Sequence, residues 1–289
     1  MSAREVTVRV PATSANLGPG FDCLGLALAL FARVTLREAP GPEPDAAGAM
    51  MLAAARAAYR AAGRTPPDLS ASWDGDIPVA RGLGASAAFR VGAAVAANVL
   101  MGRPLDDDAL LDLTAGLEGH GDNVAPALFG GLRVVVREGK RFRSLGSPLA
   151  PGLRLALFVP DFEMPTDESR KALPAALSRE DAVHNIGRAA LLVAALATGA
   201  WDALGPATED RLHQPARAGI FPALPTILSA AREAGAHGAY LSGGGSTVAA
   251  FVTSGADAVA RAMAEAAAGE GVSGRTIVTE PSPVGALVV

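Results

Sequence analysis

Pro78-Val-Ala-Arg-Gly-Leu-Gly-Ala-Ser-Ala-Ala88 stands between a short strand candidate, Ser70 to Trp73, and a long apolar helix expected from Ser86 to Leu100. Glycines in such a turn let backbone N–H groups face a bound anion, and the start of the following helix adds a positive field. Ser86 sits where a hydroxyl either caps the helix or reaches a metal bound to phosphate. Read alone, the string fits a plain capped turn equally well. Its spacing excludes three familiar loops. No Gly-Lys-Ser/Thr follows, so it is not a Walker A loop, and the chain has no HRD or DFG sequence to complete a protein kinase. The G-x-G-x-x-G spacing of a dinucleotide fingerprint is absent, and the preceding strand is short. What remains is a phosphate cradle without lysine. Of the 25 basic residues only Lys140 and Lys171 are lysines, so a mechanism that needs lysine on the phosphates has almost nothing to choose from.

The rest of the composition narrows the field. A chain of 289 residues, half of them hydrophobic and 19% charged, has enough apolar surface for the cores of two domains and is not disordered. A formal charge of −4 without a basic stripe argues against nucleic acid as a partner. The single cysteine, Cys23, excludes a disulfide framework and a cysteine-rich zinc site, and suits a reducing compartment. Met1 to Val10 alternates polar and apolar residues, unlike a signal peptide. Apolar runs such as Ala189 to Ala197 are too short to cross a bilayer. A soluble, cytoplasmic protein with no membrane partner is expected.

Strands are expected at Val6 to Val10, Gly25 to Leu36 and Leu132 to Arg137, with helices at Ala49 to Ala62 and Asp106 to Leu117. Three aspartates open the second helix, where the dipole favours them. Ser144 to Gly152 reads as the connection between two domains, 1–150 and 151–289. Beyond it, strands are expected at Leu153 to Val159, Ala239 to Ser242, Val248 to Val252, Thr276 to Glu280 and Gly285 to Val289. Helices are expected at Arg179 to Leu196, Phe221 to Ala234 and Ala256 to Ala268. Strands and helices mix without regular βαβ alternation, which favours two α+β domains over one doubly wound sheet.

Three further stretches are dense in chemistry. Pro11-Ala-Thr-Ser-Ala-Asn-Leu-Gly-Pro-Gly-Phe-Asp22 carries Asn16 and Asp22 on a turn after a strand that is expected to end at the proline. Glu118-Gly-His-Gly-Asp-Asn123 packs a carboxylate, an imidazole, an acid and an amide closely together after a helix. Leu241-Ser-Gly-Gly-Gly-Ser-Thr-Val248 is a glycine turn between strands, by itself a hairpin loop. In this order, and with Asn185-Ile-Gly-Arg-Ala-Ala-Leu-Leu192 and Glu209-Asp-Arg-Leu-His-Gln-Pro-Ala-Arg217, the chain resembles the homoserine kinases of the GHMP superfamily from about residue 5 onward.

The resemblance implies an α+β, two-domain GHMP kinase fold. A domain like ribosomal protein S5 domain 2 covers 1–150, a ferredoxin-like domain covers 151–289, and the active site lies in the cleft between them. It also implies Mg2+ and ATP as donor, L-homoserine as acceptor, O-phospho-L-homoserine as product in threonine biosynthesis, and a homodimer. Pro78, Ala80, Arg81, Gly82, Leu83, Gly84, Ala85, Ser86 and Ala87 correspond to the ATP loop, and Ser86 and Glu118 to the metal ligands. Asp22 matches the residue that meets the substrate ammonium; Arg188 and Arg217 match those for its carboxylate, which suits planar guanidinium groups. Asn16, His120 and Asn123 would orient the hydroxyl, and Asp122 is a candidate general base by analogy with other GHMP kinases. His213 reads as packing or a cap, and His184 and His237 as surface or structural residues. The alternative is a non-catalytic family member, which the retained pair Ser86 and Glu118 opposes, or a differently specific one, against which Asp22, Arg188 and Arg217 argue.

The chain also departs from the family pattern. Ala80 and Ala85 replace a glycine and a serine of the ATP loop, Gly121 replaces a proline, and Gly245 with Ser246 alter the last glycine string. These changes fall on ATP contacts more than on amino-acid contacts, so weakened ATP binding is expected.

Overall fold

The computed structural model describes residues 4–164 and 166–289; Met1 to Ala3 of the alternating N-terminal segment lie outside the described residues. β1 (Glu5–Asn16) and β2 (Gly20–Arg37) form a long antiparallel hairpin, much of it buried. Their register shifts at Pro11/Ala12 and again at Ala15/Asn16. Proline has no N–H to give the ladder, and a shift at that point lets the strand continue past it. The expected end of the first strand at the proline is therefore corrected: the strand runs on to Asn16.

α1 (Ala46–Ala61) starts at Asp45, whose side chain accepts the Gly48 N–H at 2.7 Å. β3 (Ser70–Gly75) pairs with the second half of β2, and α2 (Ala85–Leu100) follows the phosphate loop. α2 is rich in alanine and valine and is buried over most of its length, wedged between the sheet, α1 and α3 (Asp107–Glu118). Small side chains allow that close approach. α4 (Val124–Phe129), β4 (Leu132–Glu138) and β5 (Arg141–Ser147) complete this half. Ser144 to Ser147, expected in a connection, instead pair with β4, so the crossing to the second sheet shortens to 148–153.

β6 (Arg154–Pro160) opens the second sheet, followed by α5 (Thr166–Lys171), α6 (Arg179–Thr198), α7 (Leu204–Ala207), α8 (Gln214–Ala218) and α9 (Leu224–Glu233). β7 (Gly238–Leu241), β8 (Val248–Val252), α10 (Ala256–Gly269) and β9 (Gly274–Thr279) come next. The strand order β7-β8-β6-β9, all antiparallel with α9 and α10 as crossovers, is a ferredoxin-like arrangement. β6 alternates strictly: Leu155 and Leu157 face the large core shared with the first half, while Ala156 and Phe158 face Ile227 and Met263 under α9 and α10.

The last element does not stay with the second sheet. β10 (Leu287–Val288) pairs antiparallel with β1 in the register Val8↔Val288, so the first sheet has the order β10-β1-β2-β4-β5 with β3 sharing an edge of β2. The expected division into 1–150 and 151–289 places this segment with the second half; after β9 it returns across Leu28 and covers the open edge of β1. Among the described residues, no helix is long and apolar enough to cross a membrane.

Candidate active site

The phosphate loop is held by both halves of the chain. Leu83 C=O accepts from Thr13 N–H at 3.1 Å, Gly82 C=O from Ser242 Oγ at 2.7 Å, and Arg81 C=O from Thr247 N–H at 3.0 Å. Gly82 and Gly84 both have positive φ, 74° and 70°, and a Cβ on either would meet Ser242 O at 2.3 Å or Thr13 Oγ1 at 1.9 Å. Only glycine fits at these two positions. Gly84→Ala is expected to displace the loop and weaken ATP binding by at least about tenfold, read by nucleotide titration, with little change in secondary structure. An unchanged affinity would show that the loop does not hold the nucleotide. Ala80, where the family has glycine, also has a positive φ of 57°. An alanine there carries roughly 1–2 kcal/mol of backbone strain.

Gly84 caps the start of α2, so Ser86 is free of the capping role and donates to Glu118 Oε1 at 2.5 Å. Glu118 is the last residue of α3, stopped by Gly119 in the left-handed conformation. Its other oxygen, Oε2, contacts the guanidinium of Arg90. The chain then turns through the buried trio His120, Asp122 and Asn123. His120 Nδ1 meets Asp122 Oδ1, Asn123 N–H donates to the same oxygen at 2.9 Å, and Thr13 Oγ1 donates to Asn123 Oδ1 at 2.7 Å. Burial works against a charged His120. The hydrogen bond and charge of Asp122, with help from Glu118, outweigh it and raise the imidazole above its ordinary pKa.

Across the cleft, Asn16 holds the left-handed conformation at φ 67°, donates to Gly243 O at 2.8 Å and accepts from Asp22 N–H at 3.0 Å. Asp22 is met by an arginine that sequence reasoning missed. Arg170, on the short helix α5, donates to both Asp22 oxygens, at 3.0 and 2.5 Å. Arg217 is almost wholly buried and donates to Gly243 O at 2.8 Å and to His213 Nδ1 at 2.9 Å. Both guanidinium groups lie over the ring of Phe21, at 5.3 and 5.6 Å from its centroid. Burial first, then the neighbouring charge of Arg170, lower Arg217 to a pKa of about 10. The expected partner, Arg188, does not line the cleft: it lies on α6 and donates to Glu209 Oε2 at 2.9 and 2.7 Å. The expected pair Arg188 and Arg217 is thus not brought together in the cleft; Arg170 stands beside Arg217 there. No periodic signal could have pointed to α5, which is under two turns long.

His213 holds the N-cap position of α8 without a side-chain capping bond, and its ring bridges instead. The fully buried ring sits between Gly18 O, 2.7 Å from Nε2, and Arg217. Desolvation by burial, with the charge of Arg217, lowers it to about pKa 4, so it is neutral with its proton on Nε2. The unfolded chain takes up this proton more readily than the folded one between pH 6.5 and about 4. The contribution of neutral His213 is thus complete above pH 6.5 and is lost as the pH falls through that window, by roughly 3 kcal/mol. Denaturant unfolding at pH 7 and 4.5 checks this: His213→Gln should lose less stability between the two than the parent does. His184 is half-buried among Arg188, Arg211 and Glu209, and His237 Nε2 meets Thr253 Oγ1, both away from the cleft.

The resulting cleft holds about 900 Å3 of open space and joins the phosphate loop, Glu118, the His120–Asp122 pair, Asp22, Arg170 and Arg217. Pro78 and Ala87 of the expected ATP set flank it without lining it. Two groups of donors come to mind for a metal. Asp22, His120 and Asp122 lie within 4.8 Å of one another, yet His120 is taken by Asp122 and Asp22 by Arg170. Ser86 Oγ and Glu118 Oε1 are hard oxygen donors beside the phosphate loop, the ligand type that Mg2+ takes, and they fit it better.

The sequence of this chain matches two family models, GHMP kinases N terminal domain over residues 49–131 and GHMP kinases C terminal over residues 192–269. The chain is 44% identical to a homoserine kinase of Moorella thermoacetica, covering 98% of this chain and 99% of that protein. It is 46% identical to one of Deinococcus radiodurans, covering 86% of this chain and 85% of that protein. Its structure superposes on a homoserine kinase from Cytophaga hutchinsonii with a TM-score of 0.88 at 27% identity, over 99% and 97% of the two chains. The chain belongs to the homoserine kinase family of the GHMP kinases, and it is an ATP-dependent kinase.

Proposed function

We propose that this chain transfers the γ-phosphoryl group of ATP to the side-chain hydroxyl of L-homoserine, giving O-phospho-L-homoserine for threonine biosynthesis. One observation carries the choice of an amino acid: two buried or half-buried arginines, Arg170 and Arg217, converge over Phe21 beside Asp22, next to the phosphate loop. Two guanidinium groups and a carboxylate set side by side favour a zwitterion whose carboxylate meets the arginines and whose ammonium meets Asp22. In this reading the substrate replaces the Arg170–Asp22 contact with one partner for each group.

The backbone of Arg81 to Ser86 would hold the triphosphate, and Ser86 with Glu118 would hold Mg2+, which when bound supplies positive charge at the phosphates. Asn16, His120 and Asn123 would orient the hydroxyl. A loose transition state needs little early loss of the hydroxyl proton, so Asp122 is assigned as its late acceptor, with His120 fixing the carboxylate. The proposal extends to a cytoplasmic homodimer. Its candidate surface is the outer face of α6, where Val183 and Ile186 are 63% and 70% exposed one turn apart. Light scattering at several concentrations checks the dimer.

A coupled assay of ADP release tests the function. Homoserine should turn over far faster than serine, threonine or mevalonate. Mevalonate carries a carboxylate but no ammonium, so equal rates with mevalonate would overturn the amino-acid reading.

A further inference from the structure

We propose that Arg90 is a positioning residue for Glu118 and sets how tightly the enzyme–nucleotide complex holds its divalent ion; this rests on the metal reading above. Arg90 is the one charged residue of α2, in a helix otherwise made of small and apolar side chains and one asparagine. It lies one turn beyond Ser86, so both side chains leave the same face of the helix. The two divide the carboxylate between them: Ser86 Oγ donates to Oε1 at 2.5 Å, and Arg90 contacts Oε2. The Arg90 and Glu118 side chains are only 20% and 9% exposed, so solvent screens the pair weakly. Arg90 does not line the cleft; it reaches Glu118 from behind.

Glu118 needs such a partner. It ends α3, where its negative charge faces the unfavourable end of the helix dipole. The guanidinium offsets that field and keeps one carboxylate oxygen away from the cleft, leaving the oxygen shared with Ser86 for the ion. It also places a fixed positive charge beside the ion's position. Both effects weaken the hold on a divalent cation, and a weaker hold favours its departure with the nucleotide after each turnover.

The test measures Mn2+ binding by electron paramagnetic resonance to enzyme saturated with a non-hydrolysable ATP analogue. Arg90→Met should bind Mn2+ roughly tenfold more tightly than the parent, since a nearby positive charge is removed. Arg90→Lys, which keeps the charge, should stay within about threefold of the parent, and Glu118→Gln should bind far more weakly. The metal concentration for half-maximal turnover should fall in Arg90→Met, while the KM for homoserine stays unchanged. If Arg90→Met does not fold, Arg90→Gln makes the same comparison. Unchanged or weaker binding in the neutral variant, with Glu118→Gln still defective, overturns the role of Arg90 and leaves Glu118 as a ligand. Normal binding by Glu118→Gln overturns the metal reading, and the role of Arg90 falls with it.

Discussion

Glu118→Ala is expected to lower turnover by roughly a hundred- to a thousandfold or more, while circular dichroism shows an intact fold. The carboxylate stands beside Ser86 at the mouth of the phosphate loop, where charge moves during phosphoryl transfer. Preorganised charge in such a site acts mainly on the transition state, so the loss should fall on kcat more than on the KM for homoserine. Structure should survive because Gly119, in the left-handed conformation, ends α3 without help from the Glu118 side chain. Excess chelator should silence the parent enzyme to a similar degree. Near-normal turnover of the variant would reduce Glu118 to a partner of Arg90 and nothing more.

Arg170→Ala is expected to lower kcat/KM for homoserine by about 2–5 kcal/mol, tens- to thousands-fold, with the KM for ATP nearly unchanged. The variant leaves Asp22 half-buried without its two hydrogen bonds and leaves a substrate carboxylate with one arginine in place of two. Arg217→Ala should lose at least as much, but it also strips partners from Gly243 O and His213, so part of its effect is structural. Arg188→Ala separates the readings. Its half-exposed pair with Glu209 lies outside the cleft, and a change below a few-fold is expected. A large loss in Arg188→Ala with none in Arg170→Ala would return the carboxylate site to α6.

The contrast between those two arginines shows where the sequence is legible and where it is not. Glu118, His120, Asp122 and Asn123 belong to one short turn, and Asn16 and Asp22 to another, so local spacing alone keeps each set together. The phosphate loop is equally local, because glycine is required by backbone geometry at Gly82 and Gly84. Arg170 reaches Asp22 across 148 positions, from a helix under two turns long that is tied down by Ser169 Oγ on Gly244 O. Nothing periodic marks such a segment, whereas Arg188 sits on a long helix that periodicity finds easily. Arginines on either element look alike in a string of letters; tertiary packing decides which one meets the acid. Arg90 was hidden for a different reason, since one charge in an apolar helix reads as a solvated face until its partner on α3 is seen.

The return of β10 to β1 bears on how the molecule is made. Val8 and Val288 are neighbours in one sheet, so that contact closes only after all the intervening residues have been synthesised. Contacts this distant in sequence slow folding, because a large loop must be ordered before the pairing rewards it. Until then β1 presents an unpaired edge, the kind of surface on which other chains add strands. The nascent chain therefore carries this exposed edge until the segment after β9 has been made and can cover it.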